Sequence, residues 1–218
     1  MNYAITIARG YGSGGRRIGQ KLADKLNIDF VDRELLQLAS IESGINEALF
    51  GQADERVKKS LLLFKNIRRS SHLGDVLKPE QNGFTSDENL FNYQAKVLRS
   101  LTEKESFVVM GRAADFILKD YPNVLSVNIQ ASQKFCVKAV MDLMGCSEKE
   151  AESRIEKIDR YRAEFYKYYT GRNWNNPENF DLCLNSERLG DDNCIRLIIE
   201  CAKLKFGPDF NKRETEAE

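Results

Sequence analysis

Tyr3-Ala4-Ile5-Thr6-Ile7-Ala8-Arg9-Gly10-Tyr11-Gly12-Ser13-Gly14-Gly15-Arg16-Arg17-Ile18 is the stretch on which the fold turns. Residues 3–8 (YAITIA) form a short apolar, β-branched run. Glycines follow, and Ile18, Leu22, Ala23 and Leu26 then recur at helical spacing. The order is strand, glycine-rich turn, helix. The same alternation continues outward. Residues 27–31 (NIDFV) read as a second strand, and Asp32 opens a helix through Leu35, Leu36 and Leu38, with Glu34 at the positive end of its dipole. Residues 106–110 (SFVVM), 124–129 (VLSVNI) and 181–185 (DLCLN) read as further strands, with helical patterns between and after them. A capping box at residues 85–88 precedes a helix face of Leu90, Tyr93, Val97 and Leu101, and Ser147 with Glu150 caps a long helix through Ala151, Ile155, Ile158 and Phe165. Parallel strands need crossovers, and crossovers cover the faces of a sheet. The expectation is an α/β fold with a parallel five-stranded sheet and helices on both faces.

The bulk numbers exclude several classes of function. At 218 residues the chain has room for one α/β domain with insertions, and a second full domain would be cramped. Lys+Arg and Asp+Glu are equal at 33 each, so no overall basic field favours a nucleic-acid partner. Phosphate chemistry would need a local basic site. The five cysteines are odd in number and scattered without a C-x-x-C pair, which argues against a zinc site or a disulfide framework and fits a reducing cytoplasm. No apolar run approaches the roughly 20 residues of a membrane span, and the first residues lead into a strand, so neither a membrane role nor a signal peptide is expected. His72, the single histidine, sits among polar residues and is not expected to be catalytic. Residues 45–69 are helical in pattern but basic, with Arg56, Lys58, Lys59, Lys65, Arg68 and Arg69, and the stretch after them to residue 83 is loop-like. The tail after Pro208 is charged and expected to fray.

The glycine turn lies where a phosphate-binding loop must lie, between a first strand and a first helix. Glycines let backbone N–H groups close around phosphate oxygens, and the helix N-terminus adds favourable partial charge. The pattern G-x-x-x-x-G-K-[ST] fits in one register with Gly10 and Gly15 as its glycines. Arg16 then holds the lysine position, and Arg17 replaces the hydroxyl that would touch magnesium. A second register is set by Gly12-Ser13-Gly14, and it puts Gly15 where lysine belongs. Both registers lack the lysine, and arginine, a planar fork, is the available cation. A bland alternative is a tight strand-to-helix turn with no ligand.

With this turn, with Phe30-Val31-Asp32-Arg33 closing the second strand and Gly111-Arg112 after the third, the chain resembles the cytidylate kinase-like branch of the nucleoside monophosphate kinases, within the P-loop NTPases. The likeness takes in residues 159–162 (DRYR), 166–171 (YKYYTG) and 179–185 (NFDLCLN), and spans roughly residues 3–205. The resemblance implies a core of residues 1–44, 104–146 and 176–206, a helical acceptor-binding insertion at about 45–103, and a helical lid at about 147–175. It implies that Gly10, Gly12, Ser13, Gly14, Gly15, Arg16 and Arg17 hold the phosphates of ATP, that Asp32, Arg33, Arg112 and Asp181 bind the acceptor nucleotide, and that Arg16, Arg112, Arg160 and Arg162 serve catalysis. Magnesium would accompany ATP, with no ligand identifiable in the sequence.

The residues taken alone agree in part. Asp32 and Arg112 each follow a predicted strand, at the edge where open α/β sheets bind ligands. Asp32 could instead cap a helix, Arg112 could be a surface ion pair, and Asp181 could be a solvated loop residue. On one continuous helix, at about 100° per residue, Lys157, Arg160 and Lys167 share a sector of about 80° while Arg162 points nearly opposite. Arg160 could also pair with Glu156 at i,i+4 on a solvated face. The aromatic residues Phe165, Tyr166, Tyr168, Tyr169 and Trp174 suit packing or lid contact better than base stacking.

Phosphoryl transfer needs in-line positioning and neutralised oxygens more than a nucleophilic side chain, and arginines can supply that without a histidine. Met110 stands where cytidylate kinases carry an acid before Gly-Arg, and Ala113 and Ala114 stand where they carry another. These departures, with the absent lysine, leave a rival reading: a nucleotide-sensing module that kept the fold and lost efficient turnover. A helical scaffold using the basic residues 56–69 is a third.

Overall fold

The computed structural model describes residues 1–32, 34–52 and 73–211. Arg33, the basic residues 56–69, His72 and the charged tail from residue 212 lie outside the described residues. The elements, in chain order, are β1 (Ala4–Arg9), α1 (Gly15–Leu26), β2 (Asp29–Val31), α2 (Glu34–Ser43), α3 (Asp87–Lys104), β3 (Phe107–Met110), α4 (Ala114–Ile117), β4 (Val124–Gln130), α5 (Gln133–Met144), α6 (Glu148–Thr170), β5 (Leu182–Asn185) and α7 (Ser186–Phe206). A 3₁₀ turn (Pro177–Asn179) leads into β5.

The five strands among the described residues make one sheet in the order β2-β3-β1-β4-β5, and every pairing is parallel. The expected fold class is the one observed. Alternation along the strands decides which helices cover which face. Ile5, Ile7, Val108, Met110, Leu125, Val127 and Ile129 pack with Ile18 and Leu22 of α1 and with Ile195 and Ile198 of α7. The residues between them, Ala4, Phe107, Val109 and Val124, pack on the other side with α2, α3 and the carboxyl half of α6. A third small cluster joins Val137 and Val140 of α5 to Ala151 and Ile155 of α6.

Local chemistry sets the ends. Asn27 caps α1 in the left-handed conformation (φ 53°), which shortens the second strand to three residues. Ser147 and Glu150 form the full capping box expected of α6. At α3 the cap is Ser86, whose hydroxyl accepts from the Asn89 N–H, so Thr85 stays outside the helix.

The chain reverses its direction across the sheet at β1. Its neighbour β3 belongs to the side visited first and β4 to the side visited afterwards. Such a reversal opens a crevice at the carboxyl ends of the strands, where open α/β sheets take their ligands.

Candidate active site

The turn after β1 is built from below. Gly10 N–H donates to the Ile129 carbonyl, and the Ser13 hydroxyl donates back to the Gly10 carbonyl at 2.9 Å. The Ser186 hydroxyl, at the start of α7, donates to the Ser13 carbonyl at 2.6 Å and to the Gln130 carbonyl at 3.2 Å. Gly12 has φ 84°, and a side chain there would begin 2.7 Å from the Cys136 carbonyl oxygen of α5. Glycine is therefore required twice, for the backbone and for the space. Gly14, at φ 78°, is the N-cap and Gly15 the first residue of α1. The first amides of a helix have no carbonyl one turn earlier to bond, so this end of α1 offers N–H groups and partial positive charge to the crevice.

A cleft of about 680 Å³ opens above the strand ends. Four arginines reach it: Arg9 from the end of β1, Arg16 from the first turn of α1, Arg112 after β3, and Arg162 from α6. Arg16 Nε donates to Asp32 Oδ2 at 2.8 Å, and its guanidinium lies over the Phe30 ring. Arg162 Nη1 donates to the Arg9 carbonyl at 3.0 Å and to Asp159 Oδ1 at 3.1 Å. Asp159 in turn accepts the Tyr11 N–H, at 2.9 and 3.1 Å to its two oxygens, so a carboxylate of α6 sits on an amide of the glycine turn. Gly111, Arg112 and Ala113 are all left-handed, with φ between 52° and 65°. This conformation costs roughly 1–2 kcal/mol for a non-glycine residue, and such strain gathers at functional sites. It points the chain from β3 over the cleft before α4 begins.

Electrostatics give the cleft its character. Burial and the neighbouring Arg162 pull Arg9 down to about 9, against the effect of Asp32 and Asp159, with Arg112 adding to the pull. Burial likewise lowers Arg162 despite its contact with Asp159. Guanidinium groups do not give up their protons in proteins, so the depression marks cations held out of water, and among the described residues the carboxylates facing Arg9 and Arg162 on this side of the cleft are those of Asp32 and Asp159. Burial raises Asp159. At the far end, Asp115 of α4 is 9% exposed, accepts the Tyr166 hydroxyl at 2.5 Å, and is pushed up to about 6 by burial. Tyr161, Phe165 and Trp174 complete that end.

The model of the cytidylate kinase-like family matches residues 4–188, most of the chain and all of the elements that form the cleft. The chain belongs to the cytidylate kinase-like family. Among solved structures it is similar to an uncharacterized protein from Eubacterium ventriosum, at 25% identity over 97% of this chain and 100% of that one, with a TM-score of 0.65. It is also similar to a gluconokinase from Sinorhizobium meliloti, at 11% identity over 98% and 100% of the two chains and a TM-score of 0.53, which bears on the fold alone. No curated protein matches the sequence.

In this member of the cytidylate kinase-like family, the cleft brings together Arg16, Asp32, Arg112 and Arg162 beside the turn of Gly10, Gly12, Ser13, Gly14 and Gly15. Three other expected residues are placed elsewhere. Arg17 makes a bidentate pair with Asp191 of α7, at 2.5 and 2.9 Å, which raises its pKa and lowers that of Asp191. Arg160 pairs with Glu156 on the exposed side of α6. The helix is unbroken from Glu148 to Thr170, so Arg160 and Arg162 diverge as their spacing requires. Asp181 precedes β5, accepts from the Ser126 N–H and hydroxyl, and pairs with Lys205 at 2.7 Å, well below the carboxyl edge of the sheet. Arg9 and Asp115 line the cleft and Asp159 braces the glycine turn beside it, and the sequence reading gave none of the three a role. Arg9 carried a usable signal, since it ends the first strand directly before the glycines.

Proposed function

We propose that the protein is an ATP-dependent phosphotransferase acting on a nucleoside monophosphate, with a pyrimidine nucleotide such as CMP or dCMP as the leading acceptor, working in the cytoplasm with nucleotides as its partners. The observation that carries this reading is the convergence of Arg9, Arg16, Arg112 and Arg162 on one cleft beside a glycine turn, with Asp32 and Asp159 as nearby counter-charges. A cavity so supplied with cations is stabilised by a polyanion. The triphosphate would lie against the glycine turn and the start of α1. The acceptor would lie toward Arg112 and Asp32. Its flat base would enter between Phe165 and Trp174, where Asp115 and Tyr166 offer a polar handle. Residues 147–175 serve as the lid in this reading and residues 45–103 as the acceptor-binding insertion.

In the reaction an oxygen of the acceptor phosphate attacks the γ-phosphorus, the bond to the β,γ-bridging oxygen breaks, and ADP leaves. The arginines neutralise the equatorial oxygens and hold the two nucleotides in line. The residues do not fit a protein-held magnesium. Arg16 and Arg17, which stand at the usual hydroxyl position in the two registers, face Asp32 and Asp191, the Ser13 hydroxyl is committed to the Gly10 carbonyl, and no group of three metal-capable side chains occurs among the described residues.

The nucleotide-sensing reading draws on one observation, that Asp159 already occupies the Tyr11 amide. The two part in a single assay. Purified protein is incubated with ATP, magnesium and a panel of nucleoside monophosphates, and diphosphate product is measured. Diphosphate from one acceptor supports the transferase; ATP binding with no product from any acceptor refutes it.

A further inference from the structure

The two arginines that follow the glycine turn both leave it. Arg16 runs to Asp32 and Phe30 with its side chain 68% exposed, and Arg17 is held by Asp191. Neither folds back over the turn. The start of α1 at Gly15, directly after the left-handed Gly14, makes Gly15 the residue from which a phosphate-loop lysine would spring. A side chain cannot be placed there. Its Cβ would lie 2.6 Å from Arg9 Cβ and 3.0 Å from Arg9 Cγ, atoms too near the backbone to swing aside. The stem of Arg9 occupies the volume that a residue-15 side chain would need, and its guanidinium continues to the Gly111 backbone, facing Arg112, Arg162, Asp32 and Asp159.

We propose that Arg9 is the loop cation of this protein: from the end of β1 it delivers the charge that a lysine at position 15 would deliver from the first turn of α1, and it grips the outer oxygens of a nucleoside triphosphate. The inference rests on the ATP-binding reading above and adds the residue that makes the lysine dispensable. The closest approach is to the β-carbon of residue 9, so Gly15 is obligatory while position 9 carries any side chain, and only the charge of that side chain is particular to Arg9. Burial, with Arg162 and Arg112 nearby, lowers the pKa of Arg9, and a bound anion would offset both effects.

The test uses the intact chain as wild type, Arg9→Met, Gly15→Lys, and the double variant Arg9→Gly/Gly15→Lys. Each is titrated calorimetrically with ATP and with AMP, and each is melted without nucleotide. Loss of a charge-assisted contact predicts that Arg9→Met weakens ATP by at least about tenfold while AMP shifts by less than about threefold. Removing a buried cation that faces two others predicts that the same variant melts about 2–4 °C higher. Function and stability thus move in opposite directions, which a purely structural arginine would not produce. Gly15→Lys alone is expected to melt lower, and adding Arg9→Gly is expected to restore both melting and ATP affinity, a coupling between touching sites.

Wild type that binds ATP together with an Arg9→Met variant of equal ATP affinity overturns the inference and leaves the ATP reading standing. So does an Arg9→Met variant that melts lower and loses ATP and AMP alike. A double variant no better than the poorer single one refutes the exchange of one cation for the other. Wild type with no affinity for ATP ends both readings together.

Discussion

The two ends of the cleft are built on opposite principles. Beside the glycine turn, Arg9, Arg16 and Arg162 meet Asp32 and Asp159 in a half-buried lattice of charge, held by backbone carbonyls and amides. Beside α4, Phe165, Tyr166 and Trp174 line the cleft together with one carboxyl group, Asp115, whose partner is the Tyr166 phenol. The first end is short of anions and gains from a polyphosphate. The second is short of polar groups and gains from a flat, mostly apolar group with a hydrogen-bonding edge. A nucleotide offers both in one molecule, and the separation of the two ends gives each part of it a place.

Removing charge from the first end should have the largest effect. Arg162→Met takes away the group that ties α6 to the end of β1, and by analogy with the loss of one oxyanion donor it should lower turnover about 100- to 1000-fold. The check is steady-state diphosphate formation, with circular dichroism confirming the fold. Gly12→Val comes next. The added branch would strike the Cys136 backbone of α5, so nucleotide binding should disappear together with a lower melting temperature. A variant with wild-type melting and wild-type ATP affinity would contradict that placement.

Asp115→Asn sharpens the comparison at the other end. The ordinary aspartate value is 3.8 and burial raises Asp115 to about 6. Between about pH 4 and pH 6 the folded protein therefore holds a proton that the unfolded chain has released. The stabilisation from this group is complete below that window and declines as pH rises through it, by on the order of 2–3 kcal/mol. Asparagine keeps an acceptor for the Tyr166 hydroxyl and has no charge to bury. The variant should match wild type near pH 4 and melt progressively higher than wild type up to about pH 6, with a constant margin above. Thermal melts across pH 4–8 measure it, and a margin independent of pH would refute the assignment. The smallest effects belong outside the cleft. Arg160→Ala should leave turnover within about twofold and stability within about 0.5 kcal/mol, as expected of an exposed ion pair. Asp181→Ala should cost about 1 kcal/mol through its Ser126 and Lys205 contacts and leave turnover unchanged. A large loss of turnover in either would move the active site.

The fold was legible because it is written locally. Residues 3–8 and 106–110 are too apolar and β-branched for exposed helix, and Ile18, Leu22, Ala23 and Leu26 fall on one face only at the helical period. The divergence of Arg160 and Arg162 was legible for the same reason, since helical rotation alone dictates it. The charge lattice was not. Asp159 meets Tyr11 across 148 positions, and Asp115 meets Tyr166 across 51, and no local period records such pairs. Arg9 is legible only by its place, a charged residue ending an otherwise apolar strand directly before the glycine turn. Asp181 shows the converse. A residue that precedes a parallel strand falls at its amino end, opposite the ligand edge, and that rule was available from the strand assignment itself.

The central claim, that one cleft receives a phosphate chain at its arginine end and a base at its aromatic end, is tested most directly with a single ligand that spans both. Adenosine and cytidine joined through five phosphates should bind one-to-one in calorimetry, compete with both ATP and a nucleoside monophosphate, and bind at least about tenfold more weakly to Arg162→Met. No binding, or binding that neither nucleotide displaces, would contradict the account.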